Sequence, residues 1–264
     1  MPPSSPPLSN WFVVSLRPVG QHRRLLQAAK ALGAVGLSLP GLRLTAREDT
    51  PTRVALDDAL GCSRVIFTSP AAVRNAVRLR MLAADVVSAR TDRAVFALGQ
   101  ATHAALRRAG IADVLVPQIA TSEGLLALPG LALVAGARIG VVTAPDGRGI
   151  LTGQLRKRGA RLAIADVYAR SPARLNAAHA RRLLGARGRG AVCVTSSEAL
   201  RNVLAALPDA ARAALLRCVA VVSSARLEAI THDARFPTVI RAEAPTPASL
   251  LEALSAHASQ RCFR

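Results

Sequence analysis

The chain has 264 residues, 51% of them hydrophobic and 3% aromatic, enough for two compact domains with aliphatic cores and few ring anchors. The longest apolar candidate, GLLALPGLALVAGA at 124–137, is interrupted by Pro129-Gly130 and falls short of the roughly 18–20 residues a membrane helix needs, so a soluble cytoplasmic protein is expected. Thirty-five basic residues against sixteen acidic ones give a net charge of +19, and with Lys30 and Lys157 the only lysines, this arginine excess favours an anionic partner.

The N-terminal MPPSSPPLSN (1–10) has neither a basic segment nor an apolar core, which predicts a disordered leader and not a signal peptide. WFVVSL (11–16) reads as a strand and QHRRLLQAAKALG (21–33) as an amphipathic helix closed by Gly33. Strands follow at 34–39, 65–67, 94–99 and 113–117, with a helix after the second of these and another over 100–109. The scheme restarts with RIGVVT (138–143), the helix GILTGQLRKRG (149–159) and the strand RLAIADVYA (161–169), and continues with strands at 191–195, 219–223 and 238–242. Strands alternating with helices predict an α/β fold with parallel sheets. The tail, 259–264, is expected to fray.

VIFTSPAAVRNAV (65–77) returns as VCVTSSEALRNVL (192–204) with six of thirteen positions identical, among them the Thr-Ser pair where strand gives way to helix. RAVFALGQATHAAL (93–106) lies over RCVAVVSSARLEAI (217–230), and LGA (32–34) over RGA (158–160), at offsets of 124 and 126. Near-constant spacing across three units points to internal duplication.

Open parallel sheets bind ligands at the carboxyl ends of their strands, where helix N-termini offer unpaired N–H groups. Thr68 with Ser69, Thr143, Thr195 to Ser197, and Ser223 with Ser224 stand at four such ends. Helix capping alone would select each of them. Their recurrence on both half-chains predicts facing domains and a cleft of hydroxyls and amide donors suited to a carboxylate, and Arg17, Arg148 and Arg226 adjoin the same positions. Other chemistries fail on spacing. APDGRG (144–149) lacks the lysine and hydroxyl of a phosphate loop, and no GxGxxG follows the first strand. His22, His103, His179, His232 and His257 have no metal-ligand spacing and read as helix-surface residues. Cys62, Cys193, Cys218 and Cys262 form no CxxC, so neither a metal site nor a disulfide framework is expected. Tyr168, the one tyrosine, is placed at the end of a strand, where a phenol can donate a proton to a leaving group.

IFTSPAAV (66–73), ALGQATHAALRRAGI (97–111), GRGILTGQLRKRGARLAIADVYAR (147–170), VTSSEAL (194–200) and APTPASLLEAL (244–254) together resemble the uroporphyrinogen-III synthase family in order and spacing, over nearly the whole chain after the leader. SLRP (15–18) and TAPDGR (143–148) depart from that family's usual Thr before Arg-Pro and its more glycine-rich turn. The resemblance implies two flavodoxin-like α/β domains with parallel sheets flanked by helices, joined by a two-strand hinge, with limits near 11–44 plus 171–258 and at 48–167. It implies a lyase without a cofactor that closes linear hydroxymethylbilane into uroporphyrinogen III in haem biosynthesis, inverting ring D through a spiro intermediate and losing water. Tyr168 is then the candidate catalytic residue. Arg17, Thr68, Ser69, Gly99, Thr102, Ser122, Arg148, Thr195, Ser196, Ser197, Ser223 and Arg226 are the candidate substrate contacts. The expected partner is this small-molecule polycarboxylate, held by a monomer, with no metal, nucleic acid or membrane involved. The rival class is a two-domain module that closes on an anionic small molecule without chemistry. A nucleic-acid binder fits less well, because the arginines are scattered and aromatics for base stacking are scarce.

Overall fold

A computed structural model describes residues 6–80, 94–145 and 149–260. In chain order the strands of these residues are β1 (Trp11–Ser15), β2 (Val35–Ser38), β3 (Leu42–Ala46), β4 (Arg64–Phe67), β5 (Ala94–Ala97), β6 (Val114–Leu115), β7 (Arg138–Thr143), β8 (Arg161–Asp166), β9 (Tyr168–Pro172), β10 (Arg189–Val194), β11 (Val219–Val222) and β12 (Val239–Arg241). The helices are α1 (Arg23–Ala31), α2 (Thr50–Leu60), α3 (Pro70–Arg80), α4 (Gln100–Arg108), α5 (Ser122–Leu126), α6 (Pro129–Ala132), α7 (Gly149–Lys157), α8 (Ala177–Leu184), α9 (Ser197–Ala206), α10 (Asp209–Leu216), α11 (Ala225–Asp233) and α12 (Pro247–Gln260). The chain divides into two compact units: the first comprises the residues up to Arg43 and from Ser171 onward, the second Leu44–Arg170.

The first unit is built on a parallel sheet in the order β12-β11-β10-β1-β2. All five residues of β1 are buried, as expected of a central strand covered on both faces. Phe12, Val14, Val192 and Leu200 pack on one face, and Trp11, Val13, Leu25 and Leu250 on the other. The second unit has the parallel order β6-β5-β4-β7-β8. Its faces are filled by Val65, Phe67 and Val142 on one side and by Ile66, Phe96 and Ile139 on the other. Helix α2 lies so close to β7 that a β-carbon on Gly140 would stand 2.0 Å from the Ala59 carbonyl oxygen, which explains the glycine among the β-branched Ile139, Val141, Val142 and Thr143.

Counted along the chain, the first unit reads 2-1-3-4-5 from β2, the flavodoxin order. The second unit has the same spatial order once β7 and β8 are counted first. The two sheets are therefore cyclic permutations of one five-strand plan, and the repeated phrase of the sequence occupies equivalent places: β4 with α3 at the centre of one sheet, β10 with α9 at the centre of the other. Each half-chain gives two strands to one sheet and three to the other. The chain leaves and re-enters the first unit in β3 and β9, which pair as a two-stranded sheet. Bonds from Arg47 N–H to the Val167 carbonyl at one end and from Ala173 N–H to the Gly41 carbonyl at the other run these strands antiparallel.

Four expectations are corrected. Of the supposed leader, residues 6–10 are ordered against the first unit: Leu8 is fully buried, its N–H bonds the Leu32 carbonyl, and the Asn10 carbonyl accepts from Arg189 N–H. One apolar residue in a Pro/Ser-rich stretch suffices, because Gly33, at φ +89°, ends α1 without a side chain and lets Pro6 approach. Residues 1–5, also expected to be disordered, lie outside the described residues. At the other end, helix α12 continues through Gln260, so fraying does not begin at 259, while 261–264 lie outside. Strand 161–169 is two strands, because β8 ends at Asp166 and Tyr168 opens β9. Finally, His22 is not a helix-surface residue but the half-buried residue that precedes α1.

Candidate functional site

Parallel pairing brings the carboxyl ends of β1, β10 and β11 to one edge of the first sheet. Ser15 closes β1 fully buried, and His22 Nδ1 lies 2.9 Å from its hydroxyl. Arg17, between them in sequence, donates from Nη2 to the Pro245 carbonyl at 2.8 Å. Arg17 Nε and His22 Nε2 are buried and have no hydrogen-bond partner among the described residues. Burial, then the charges of Arg17 and His179, hold the His22 imidazole below its ordinary pKa, with the Ser15 backbone bond acting the other way. Burial also lowers the Arg17 guanidinium, against the opposing influence of Cys193, yet it remains a cation at neutral pH. The Cys193 thiol, pushed up to about 12 by burial, stays neutral beside it.

The next two strand ends carry the predicted hydroxyls. Ser196 Oγ accepts from Ala199 N–H at 3.2 Å and Ser224 Oγ from Leu227 N–H at 3.3 Å, so both cap the helices that follow. Ser197 Oγ accepts from Arg226 Nη1 at 3.4 Å, which links the starts of α9 and α11. Thr195 and Ser223 stand half-buried before those helices, with no side-chain hydrogen bond among the described residues. This edge thus presents two free hydroxyls, two helix N-termini and two guanidinium groups, a donor-rich surface with positive potential.

In the second unit the corresponding edge is formed by β5, β4 and β7. Thr68 donates its hydroxyl to Thr143 Oγ1 at 2.8 Å, joining the ends of adjacent strands. Ser69 Oγ accepts from Ala72 N–H at 3.1 Å and lies 3.1 Å from the Tyr168 hydroxyl. Tyr168 is 6% exposed, with its ring in the core beside Val167 and its phenol at the start of α3. Gly99 precedes α4 in extended backbone, and a β-carbon there would come within 2.8 Å of Ala120, which ties the β5 end to the β6 end. Thr102 and Ser122 are buried in the first turns of α4 and α5, where they serve packing; Thr121 Oγ1, one residue before Ser122, caps α5 by accepting from Gly124 N–H. Arg148 lies outside the described residues.

Within each unit the described candidates lie at the carboxyl edge, apart from the buried Thr102 and Ser122. Ser15 and His22 were missed. The available signal was their position on either side of the Arg-Pro turn, where a helix start meets a strand end, but a single histidine without ligand spacing carried no weight. Among the described residues no group of three His, Cys, Asp or Glu side chains could hold a metal ion, and no helix is long and apolar enough to cross a membrane.

The family model of uroporphyrinogen-III synthase HemD matches residues 23–252. The chain belongs to the uroporphyrinogen-III synthase family. It is 28% identical to the uroporphyrinogen-III synthase of Salmonella typhimurium over 246 residues, 92% of this chain and 99% of that protein. The Escherichia coli uroporphyrinogen-III synthase is 27% identical over the same share of both. A mutant uroporphyrinogen III synthase from Thermus thermophilus superposes with a TM-score of 0.59 at 20% identity, over 95% of this chain and 99% of that one. The Helicobacter pylori uroporphyrinogen-III synthetase gives 0.59 at 14% identity, over 92% and 98%. At such identities these two structures speak to the fold alone, and they share the α/β architecture described above.

Proposed function

We propose that this member of the uroporphyrinogen-III synthase family converts hydroxymethylbilane to uroporphyrinogen III with loss of water. The observation that carries the reading is the family match across residues 23–252, and the donor-rich strand ends of each unit support it. The acetate and propionate groups of the substrate ionise near pH 4 and are anions at neutral pH. Helix N-termini, Thr195, Ser223 and the Arg17 guanidinium offer them N–H and O–H donors.

Hydroxide leaves the terminal hydroxymethyl carbon, and the electron pair of the adjoining pyrrole forms the azafulvene. Ring D attacks through its substituted α-carbon to give the spiro intermediate, which fragments and recloses through the other α-carbon of ring D, so that the ring is reversed; loss of the proton on that carbon restores aromaticity and, with the departed hydroxide, accounts for the water released. Electrons balance within the substrate, so no redox partner is consumed. Closure at the unsubstituted carbon would give isomer I, and the protein's task is to hold the folded conformer. Tyr168, hydrogen-bonded to Ser69 at the start of α3, is the group that assists departure of hydroxide. The test is incubation with fresh hydroxymethylbilane and chromatographic resolution of the isomers. Isomer III in excess supports the reading, and isomer I alone opposes it.

A further inference from the structure

The first unit has a concavity at the opposite edge of its sheet. At the amino ends of β1, β10, β11 and β12, where α8 and α10 terminate, a cavity of about 370 Å³ opens to solvent. Its floor is apolar, formed by Phe12, Leu183 and the buried Cys218. Its rim carries Arg189 and Arg217. The Arg189 guanidinium lies over the Trp11 ring, 4.5 Å from the centroid, a cation–π contact that fixes the group in place. Neither arginine has a carboxylate partner among the described residues. Exposed carbonyls at a helix end would repel an anion, but at the ends of α8 and α10 several are engaged: Gly185 and Ala186 N–H bond the Arg181 and Leu183 carbonyls, and Arg217 and Cys218 N–H bond those of Ala213 and Leu215. The Cys218 thiol, pushed up to about 12 by burial, adds no negative charge.

We propose that this cavity is a binding site for a small planar aromatic carboxylate, distinct from the strand-end residues assigned to the tetrapyrrole substrate. The ring stacks into the Phe12 and Leu183 floor while the carboxylate bridges Arg189 and Arg217, each of which can donate two parallel N–H bonds. The volume is at the small end of ligand pockets and suits one ring with its acid groups, not a linear tetrapyrrole. The site needs no turnover, and it stands or falls independently of the isomerisation chemistry.

Trp11 is the only tryptophan of the chain, so its emission reports directly on this rim. Phthalate titrated into the full-length protein at constant ionic strength should give a saturable change in that emission. Uncharged benzamide should give none, and inorganic phosphate should bind at least tenfold more weakly than phthalate because it leaves the floor uncovered. Arg217→Ala removes an exposed side chain, leaves the Arg189–Trp11 pair in place and should weaken phthalate at least tenfold, with Arg217→Lys intermediate. No saturable response to phthalate, an equal affinity for phosphate, or an unchanged affinity in Arg217→Ala would each overturn the assignment.

Discussion

At the carboxyl end of β1, Arg17 Nε and His22 Nε2 are both buried without partners among the described residues, and each makes a prediction of its own. Unfolding returns His22 to an imidazole pKa of about 6.5, whereas the fold holds it lower. Between the two values the unfolded chain binds more protons, so the His22 contribution to stability is whole above about pH 6.5 and is lost as the pH falls below it. Urea midpoints measured at pH 7.5 and 5.5 should therefore lie closer together in His22→Gln than in the parent, and an equal gap would contradict this. Arg17→Lys keeps the charge but removes the planar fork, so KM should rise about tenfold, the equivalent of one charge-assisted hydrogen bond, with kcat changed less. Tyr168→Phe removes the bond to Ser69 and should lower kcat about tenfold without abolishing turnover, because hydroxide departure also proceeds unassisted. Kinetics unchanged from the parent would remove Tyr168 from the mechanism. These residues were unequally legible. Arg17 and the hydroxyl pairs stood out because strand-end chemistry has a fixed place in such sheets. His22 did not, because its burial comes from the Arg-Pro turn folding back on Ser15, a contact no periodicity reports.

The strand-to-helix junctions do two jobs at once, and substitution can separate them. Aspartate caps a helix about as well as serine, so Ser196→Asp should keep the melting temperature while placing a negative charge among groups assigned to carboxylates. KM should rise several-fold; a parallel loss of stability, or no change in KM, would show that Ser196 is only a cap. Gly140→Ala tests packing, since its methyl group would collide with the Ala59 carbonyl and should cost about 1–3 kcal/mol in unfolding free energy. Continuous apolar runs made β1, β4, β7, β10 and β11 easy to read. Helix α2 was left unassigned although Asp49 caps it and Pro51 opens it, because apolar residues alternate weakly with charged ones along it. The break at Val167 that separates β8 from β9 was not legible in the residue pattern, since both sides read as one half-buried strand, and only the family resemblance put a domain limit there.

At the scale of the whole chain, the repeat was visible as an offset, but the offset does not say which sheet a strand joins. That depends on non-local pairing, and here it distributes each half-chain over both sheets as permuted copies of one order. The outcome is two carboxyl edges of the same design, one carrying Arg17, Thr195 and Ser223, the other Thr68, Ser69 and Tyr168. The net charge of +19 adds a long-range attraction for a polycarboxylate, so KM should climb with ionic strength, and a KM indifferent to salt would assign the arginine excess to composition. On the proposed reading this chain steers ring closure to the inverted product. When fresh hydroxymethylbilane is supplied to the purified protein and the uroporphyrinogen isomers are resolved, isomer III should form well ahead of the spontaneous reaction, whereas isomer I alone, at the rate seen without protein, would show that the chain does not direct closure.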